Sequence, residues 1–232
     1  MERSLGVCLQ SRLSQRVHKD DPPELKREIV VETISKLGRA AIEIYTDVSV
    51  FRGCREGGAG ALIIDNHNQE EHLVEAPAGS TTSLYRAEMV AISDALQKVV
   101  ELQKRSFVPK EAHINLYTDS RSAIQKLAKA TGKEEIVHHV LTLVEQIVVG
   151  GNAQMMFQWI PGHCGIEGNM WADSIVKVNS AFYPPWKMSS NSFIWVMEGG
   201  DLSTADWGCL AGCCVSLCLQ AARGGHAAGG SS

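Results

Sequence analysis

The chain has 232 residues, of which 44% are hydrophobic and 21% are charged, and its formal net charge is −4 at pH 7. This length suits one domain of ordinary size with terminal extensions, and the composition is that of a globular protein with a buried core. The charge argues against a broadly basic nucleic-acid-binding protein, so any such contact would depend on metal ions and a few placed cations. No stretch reaches the roughly 20 apolar residues of a transmembrane helix, and no membrane partner is expected.

The two ends of the chain differ in composition from its middle. Residues 1–39 are mixed and polar, and they are predicted to form an N-terminal extension with a short helix at 25–37. Residues 181–232 end in a run rich in Gly, Ala and Ser, and they are predicted to be a disordered tail that catalysis does not need. The spacing of four tail cysteines lacks the pairing of a zinc ribbon and favours an apolar helical face or an extension without function: Cys209, Cys213, Cys214 and Cys218.

The cysteines also bear on the compartment. The chain has seven of them, an odd number, and three are scattered singly through the sequence. Unpaired cysteines favour a reducing, intracellular compartment, either nuclear or cytoplasmic. The first 19 residues carry arginines and serines with a single acidic residue, which leaves a mitochondrial presequence open as an alternative.

Between residues 40 and 180, strand and helix patterns alternate. Strands are predicted at 41–47, 58–65, 71–76, 113–119 and 153–160. Helices are predicted at 81–104, with Thr81 or Thr82 as its cap, and at 120–130, 134–149 and 167–180. Short turns join the first three strands, which predicts antiparallel pairing, whereas helical crossovers predict parallel pairing for the last two. The expected α/β fold is a mixed five-stranded sheet, three antiparallel strands then two parallel, with helices on both faces.

Two of these strands end in the same phrase, Tyr-Thr-Asp, at Asp47 and at Asp119. One aspartate at a strand end is usually a cap or a turn residue, but the repeat weakens that interpretation. Neighbouring parallel strands place their carboxyl ends side by side, where ligands bind, so the two aspartates would face each other. Glu88 in the first long helix and Asp173 in the last helix could join them there.

A cluster of four carboxylates needs a counter-charge, because like charges close together repel strongly. Mg²⁺ prefers oxygen ligands and keeps several waters. Two such ions about 3.5–4 Å apart can activate a water and stabilise the leaving oxygen of a phosphodiester. The carboxylates therefore predict a site for two Mg²⁺ ions, which Mn²⁺ could replace: Asp47, Glu88, Asp119 and Asp173.

A further motif follows the fifth predicted strand. Residues 159–173 read Trp-Ile-Pro-Gly-His-Cys-Gly-Ile-Glu-Gly-Asn-Met-Trp-Ala-Asp. This run resembles the ribonuclease H signature, and three other phrases resemble the remaining motifs of that family: Thr-Asp after the first strand, Arg-Ala-Glu in the first long helix, and Thr-Asp-Ser before the next helix. The resemblance covers about residues 40–180 with four motifs in matching order. It implies hydrolysis of the RNA strand of RNA–DNA hybrids.

The resemblance also implies roles for individual residues. His163 matches a loop histidine that assists proton transfer or product release, and its charge changes near neutral pH as that work requires. Asn169 matches a residue that supports the same loop and site. The catalytic, metal-binding carboxylates are matched by Asp47, Glu88, Asp119 and Asp173. Substrate contacts are expected from Ser49, Arg86, Ser120 and Asn169.

The wording of two motifs, Tyr-Arg-Ala-Glu and Pro-Gly-His-Cys-Gly-Ile-Glu-Gly-Asn, is most similar to ribonuclease H domains of non-LTR retrotransposons. There the domain follows a reverse transcriptase in one polyprotein. The resemblance therefore implies two partners, an RNA–DNA hybrid and a reverse transcriptase of a longer parent polyprotein. Residues 24–38 would then be a remnant of the connecting region.

Three positions depart from the family pattern. Val48 stands where glycine is usual, Met170 where glutamate is often found, and Val176 where a small residue is common. Val48 would be strained if its φ is positive, and would crowd the sugar-phosphate backbone if its φ is negative. A second hypothesis is therefore a catalytically weak domain that binds nucleic acid or a partner. A third, a transposase or resolvase of the same broad fold, is disfavoured by the glycine–histidine loop.

Overall fold

The computed structural model describes residues 6–51, 56–79, 83–105, 109, 111–129 and 134–182, and the side chains at 49–51, 56–57, 77–79 and 177–182 are not described. From residue 183 onward the predicted tail lies outside the described residues. Its disorder, and its dispensability for catalysis, stay predictions.

The elements follow the predicted order closely. The strands are β1 (Val7–Gln10), β2 (Ile42–Phe51), β3 (Glu56–Asp65), β4 (Glu70–Gly79), β5 (His113–Thr118) and β6 (Gln154–Trp159). The helices are α1 (Pro23–Leu37), α2 (Leu84–Lys104), α3 (Arg121–Lys129), α4 (Glu135–Glu145) and α5 (Glu167–Phe182). A single π-helical turn at Gln146–Gly150 continues α4. Within the described ranges, no helix combines the length and the apolar composition that a bilayer crossing requires.

The strands form one mixed sheet in the order β1-β6-β5-β2-β3-β4. Strands β2, β3 and β4 pair antiparallel, whereas β2 with β5, β5 with β6, and β1 with β6 pair parallel. The predicted mixed sheet is thereby confirmed. The register of the central parallel pair places Thr46 opposite Thr118. The aspartates that follow these threonines therefore emerge side by side at one edge of the sheet.

Within the described part of the chain the sheet has six strands and not the five expected, because the N-terminal extension contributes β1. This strand is only four residues long, too short for its alternation to stand out from the polar sequence around it. It pairs with β6, and the buried Gln158 of β6 donates through Nε2 to the carbonyl of Arg12, 3.0 Å away. The domain boundary expected at residue 40 stays a prediction, but residues on both sides of it share this sheet.

Helices cover both faces of the sheet, as predicted. Side chains alternate along β2, so Ile42 and Ile44 enter the larger core beneath α2, α3 and α4, whereas Tyr45 points to the opposite face. On that opposite face Tyr45 packs in a second cluster that includes Val30 of α1 and Ala172 of α5. Because Asp47 is two residues after Tyr45 in the same strand, it lies on the face of the sheet that α5 covers.

Helix α5 approaches β3 closely because two strand positions lack side chains. A Cβ added to Gly60 would lie 2.5 Å from Cγ2 of Val176, and one added to Gly58 would lie 3.0 Å from Cγ1 of the same residue. Val176 is buried, with 2% of its surface exposed. The valine that departs from the small residue of the family pattern is therefore accommodated by glycines in the strand beneath it.

This packing predicts that Gly60 and Val176 are energetically coupled. Gly60→Ala should destabilise the fold by about 1–3 kcal/mol, because the new methyl group overlaps a buried side chain. In the double variant with Val176→Ala the added cost should largely disappear. Urea denaturation of the four proteins of this double-mutant cycle measures the coupling. Additive losses would show that the two positions do not press on each other.

Candidate metal centre

The site begins with two aspartates at the carboxyl edge of the parallel pair β2 and β5. Asp47 is buried, with 5% of its surface exposed, and the backbone N–H of Val48 donates to its Oδ1 at 2.7 Å. Asp119 follows the last residue of β5 and is half-buried. The backbone carbonyl of Asp119 accepts a hydrogen bond from Nε1 of Trp159 at 3.0 Å, which fixes the chain at the end of β5.

The third carboxylate, Glu88, comes from the other face of the sheet. Helix α2 starts after Ser83, whose side chain accepts a hydrogen bond from the backbone N–H of Arg86. This serine, and neither of the threonines expected from the sequence, is the cap. Glu88 lies one turn into the helix and is 97% buried, since only 3% of its surface is exposed. The hydroxyl of Thr118 donates to its Oε2 at 3.5 Å.

The three carboxylates converge. One oxygen from each of Asp47, Glu88 and Asp119 lies within 4.8 Å of the others. Burial, followed by the charges of Asp119 and Asp47, raises the pKa of Glu88 well above its ordinary value. Burial also raises the pKa of Asp119. A divalent cation would relieve both penalties, and three clustered carboxylates are the hard oxygen ligands that Mg²⁺ and Mn²⁺ prefer, so the donor set fits such an ion.

Asp173 lies at the margin of this group and is not one of the three converging carboxylates. Its negative charge contributes to the raised pKa of Asp119, whereas His163 acts in the opposite direction. Asp173 and His163 line one cleft of about 460 Å³ together with Met170 of α5 and the first turn of α1. Of the four predicted metal ligands, the structure therefore brings three together and places the fourth next to them.

The loop at 161–165 carries His163 over this cleft. Its backbone is unusual, because His163 has a φ of 53° and Gly165 a φ of 78°. The thiol of the buried Cys164 donates to the carbonyl of Pro161 at 3.0 Å and closes the turn. At Gly162 an added Cβ would lie 2.5 Å from Oδ2 of Asp119. The absence of a side chain at this position therefore leaves room for the Asp119 carboxylate.

Asn169 connects α5 to the carboxylates. It is buried, with 4% of its surface exposed, and its Nδ2 donates to Oδ2 of Asp47 at 3.4 Å. Its buried Oδ1 has no hydrogen-bond partner among the described residues. The amide therefore restrains one oxygen of Asp47, while its own oxygen is buried without a donor from the described part of the chain.

The family model for RNase H matches residues 39–181. The matched region is more than half of the 232 residues and contains all four motifs. The chain belongs to the ribonuclease H family. As a ribonuclease H domain it has the scaffold of a nuclease, and the acidic cluster at 47, 88 and 119 is a set of oxygen donors that fits a metal ion.

The predicted substrate residues of this ribonuclease H domain lie in different surroundings. Arg86 is exposed in the first turn of α2. Ser120 caps α3, since its Oγ accepts from the backbone N–H of Ala123 at 3.3 Å. The side chain of Ser49 lies outside the described residues. Contacts of these residues and of Asn169 with substrate stay predictions.

Val48 does not take the strained conformation that the sequence left open. It lies within β2 opposite Ala59 and is not among the non-glycine residues with positive φ. Its half-buried side chain packs against a small cluster of three alanines, Ala59, Ala87 and Ala91. The strain alternative is therefore wrong, and crowding of the approaching backbone is the alternative that remains.

Sequence reasoning missed Arg121 and Trp159. The guanidinium carbon of Arg121 lies 3.6 Å from the ring centroid of Trp159, the same ring that bonds to the carbonyl of Asp119. The two residues are 38 positions apart, so only the pairing of β5 with β6 reveals their contact. Two signals were available in the sequence: an aromatic residue, Trp159, at the end of a predicted strand, and a cation, Arg121, two positions after the predicted metal ligand Asp119.

The buried carboxylates predict that metal ions stabilise the folded protein. In EDTA, Glu88→Gln should raise the Tm, because it removes a charge that burial and two neighbouring aspartates disfavour. Adding Mg²⁺ or Mn²⁺ at about 100 times its Kd should stabilise the unsubstituted protein by about 2–3 kcal/mol and the variant much less. Thermal unfolding with and without metal measures both effects. Glu145→Gln, at an exposed position of α4, is the control and should change neither; equal metal responses in all three proteins would contradict the prediction.

The Gly162 contact predicts a separate effect on metal affinity. Gly162→Ala should displace the Asp119 carboxylate and weaken Mn²⁺ binding by about tenfold, since changes next to metal ligands commonly cost 10–100-fold. Titration calorimetry with Mn²⁺ measures the affinity. Gly150→Ala is the matched control, because a Cβ there meets nothing within 4 Å. An unchanged Mn²⁺ affinity in Gly162→Ala would show that Asp119 does not depend on the bare backbone.

Proposed function

We propose that this chain is an endonuclease that hydrolyses the RNA strand of RNA–DNA hybrids with two divalent ions, Mg²⁺ or Mn²⁺. One observation carries the proposal: three carboxylates, two buried and one half-buried, converge within 4.8 Å, in a chain of the ribonuclease H family, beside a cleft that holds a histidine. The proposed ligands are Asp47, Glu88, Asp119 and Asp173. The ions, when bound, would activate a water and stabilise the leaving oxygen of the cleaved phosphodiester.

The residues of the chain would prepare this chemistry. The backbone N–H of Val48 bonds to Oδ1 of Asp47, and the side-chain amide of Asn169 bonds to Oδ2. These two bonds would orient the carboxylate before an ion binds. Thr118 restrains Glu88 in the same way. His163, which lines the cleft, would transfer a proton to or from a group leaving the site.

Binding of the hybrid would use a few placed cations, because the chain as a whole is acidic. Arg121 lies two residues beyond Asp119, and stacking on Trp159 limits the conformations of its guanidinium group. A cation held in this way loses less side-chain entropy when a phosphate binds. We assign Arg121 a phosphate contact next to the metal centre, in addition to the predicted contacts of Ser49, Arg86, Ser120 and Asn169.

The motif wording supports an origin as the ribonuclease H domain of a non-LTR retrotransposon. On this proposal, the natural substrate is the hybrid that a reverse transcriptase leaves behind, in an intracellular compartment. A reverse transcriptase supplied in trans should then generate hybrids that this chain degrades. Persistence of the RNA strand in that mixture, with control hybrids being cleaved, would count against this origin.

A second candidate function is nucleic-acid binding without efficient cleavage. The observation that favours it is the position of Asp173, which stands outside the group of three converging carboxylates. Under this alternative the protein would bind a hybrid with its usual affinity but turn it over very slowly in saturating Mg²⁺.

Cleavage of a labelled RNA–DNA hybrid distinguishes the two functions. We expect Mg²⁺-dependent cuts in the RNA strand, no cuts in DNA duplex, and a loss of at least about 100-fold in kcat for Asp119→Asn, which removes a ligand charge. The control is Glu145→Gln, at an exposed position at the end of α4. Hybrid binding with no cleavage above that of Asp119→Asn would establish the binding function instead.

Val48 yields a prediction about substrate affinity. Val48→Gly should lower KM for the hybrid, because it removes two methyl groups beside Asp47, and should raise kcat/KM. It should also cost about 1–2 kcal/mol of stability, since glycine in a strand loses backbone entropy and packing against the alanine cluster. Val48→Ala separates the effects, because it removes the methyl groups without the added backbone freedom. Unchanged KM in both variants would show that the valine does not meet the substrate.

A further inference from the structure

Helix α1 precedes the region that the family model matches, yet it takes part in the cleft. The match begins at residue 39, and α1 ends at Leu37. Its N-terminal part nevertheless lines the cleft that holds His163 and Asp173, through Pro23, Glu24 and Arg27. The helix is therefore a neighbour of the loop that the proposed chemistry needs.

Arg27 makes the direct contact with that loop. Its Nε donates to the carbonyl of Gly165 at 3.1 Å, across 138 positions of the sequence. Its aliphatic stem lies on the same residue, because a Cβ added to Gly165 would be 3.3 Å from Cδ of Arg27. One side chain thus bonds to the loop and also covers its backbone.

The loop needs such support. His163 and Gly165 both have positive φ, and a non-glycine residue keeps that conformation only where its surroundings hold it. Beneath the loop, the buried Cys164 packs in a cluster with Val30 of α1 and with Ile166. Above it, the bond from Arg27 fixes the carbonyl two residues after His163. Helix α1 therefore contacts the loop in two ways, through the apolar cluster around Val30 and through the Arg27 hydrogen bond.

We propose that Arg27 is a positioning residue, which holds the His163 loop in place through the Gly165 carbonyl and makes α1 a working part of the catalytic unit. This inference rests on the proposed function, because His163 matters only if the chain cleaves a hybrid. Arg27 acts through the loop, so its loss should lower turnover and leave substrate affinity almost unchanged. It should also loosen the loop in the metal-free protein.

Two substitutions separate the hydrogen bond from the charge. In Arg27→Gln, the side-chain Nε2 lies the same number of bonds from Cα as the arginine Nε, so a neutral donor remains. Arg27→Met keeps the length and the apolar stem but has no donor. We expect Arg27→Met to lower kcat about tenfold with KM within about twofold, as for other groups that orient a site. Arg27→Gln should recover most of that loss.

Amide hydrogen exchange gives a readout that does not depend on activity. In the full chain without metal, exchange at residues 163–166 should be faster in Arg27→Met and should return towards the original rate in Arg27→Gln. Lys26→Met is the control, because Lys26 is the adjacent cation and bonds to the carbonyl of Lys19 at 2.6 Å and not to the loop. It should change neither kcat nor the exchange of the loop.

Other results would overturn the inference. A raised KM of similar size in Arg27→Gln and Arg27→Met, with unchanged loop exchange, would show that the arginine binds a substrate phosphate by its charge. Equal losses in Lys26→Met would show a general electrostatic effect of this helix. If the unsubstituted protein fails to cleave a hybrid, the proposed function is wrong, whereas the exchange comparison still decides whether Arg27 holds the loop.

Discussion

The constraint on which the site depends is the enforced proximity of like charges. Three carboxylates from two faces of a sheet have oxygens within 4.8 Å of one another, and two of them are almost completely buried. Such an arrangement opposes folding until a cation or a proton compensates it. The neighbouring features make it tolerable: the parallel pairing that aligns Asp47 with Asp119, the bare backbone at Gly162, and the donors that orient each carboxylate. The fold therefore holds a concentrated negative charge in place, and a divalent cation fits this set of ligands.

The sequence predicted the mixed sheet and which carboxylates to examine, because strong local signals were present. A phrase repeated at two strand ends indicates one edge when the strands are parallel neighbours, and the pairing of β2 with β5 confirmed that geometry. The signal failed where structure depends on distant partners. Strand β1 is too short to have a readable period, and the contact of Arg121 with Trp159 exists only through the pairing of two strands. The conformation of Val48 was undecided because valine is compatible with β-strand while the family pattern favours glycine.

Departures from a family pattern are best judged together with the residues they touch. Val176 fills space that two glycines of β3 leave open, so the bulkier residue is paired with smaller neighbours. Val48 likewise packs against small residues, the alanines of β3 and α2. In both cases a larger side chain on one element faces smaller side chains on its neighbour, an arrangement that suits the close packing of protein interiors. Neither valine by itself argues for a degenerate domain.

The four residues of β1 have a consequence for how the domain behaves in solution. They pair with β6, an apolar strand that contains Met155, Met156 and Phe157, and thus make β1 the outer strand of the sheet on that side. A fragment limited to the family match would expose the backbone donors and acceptors of β6 along this edge. Unprotected strands of that kind recruit other chains into intermolecular sheets. In the longer chain, β1 occupies this edge and pairs the backbone groups of β6 that such a fragment would leave open.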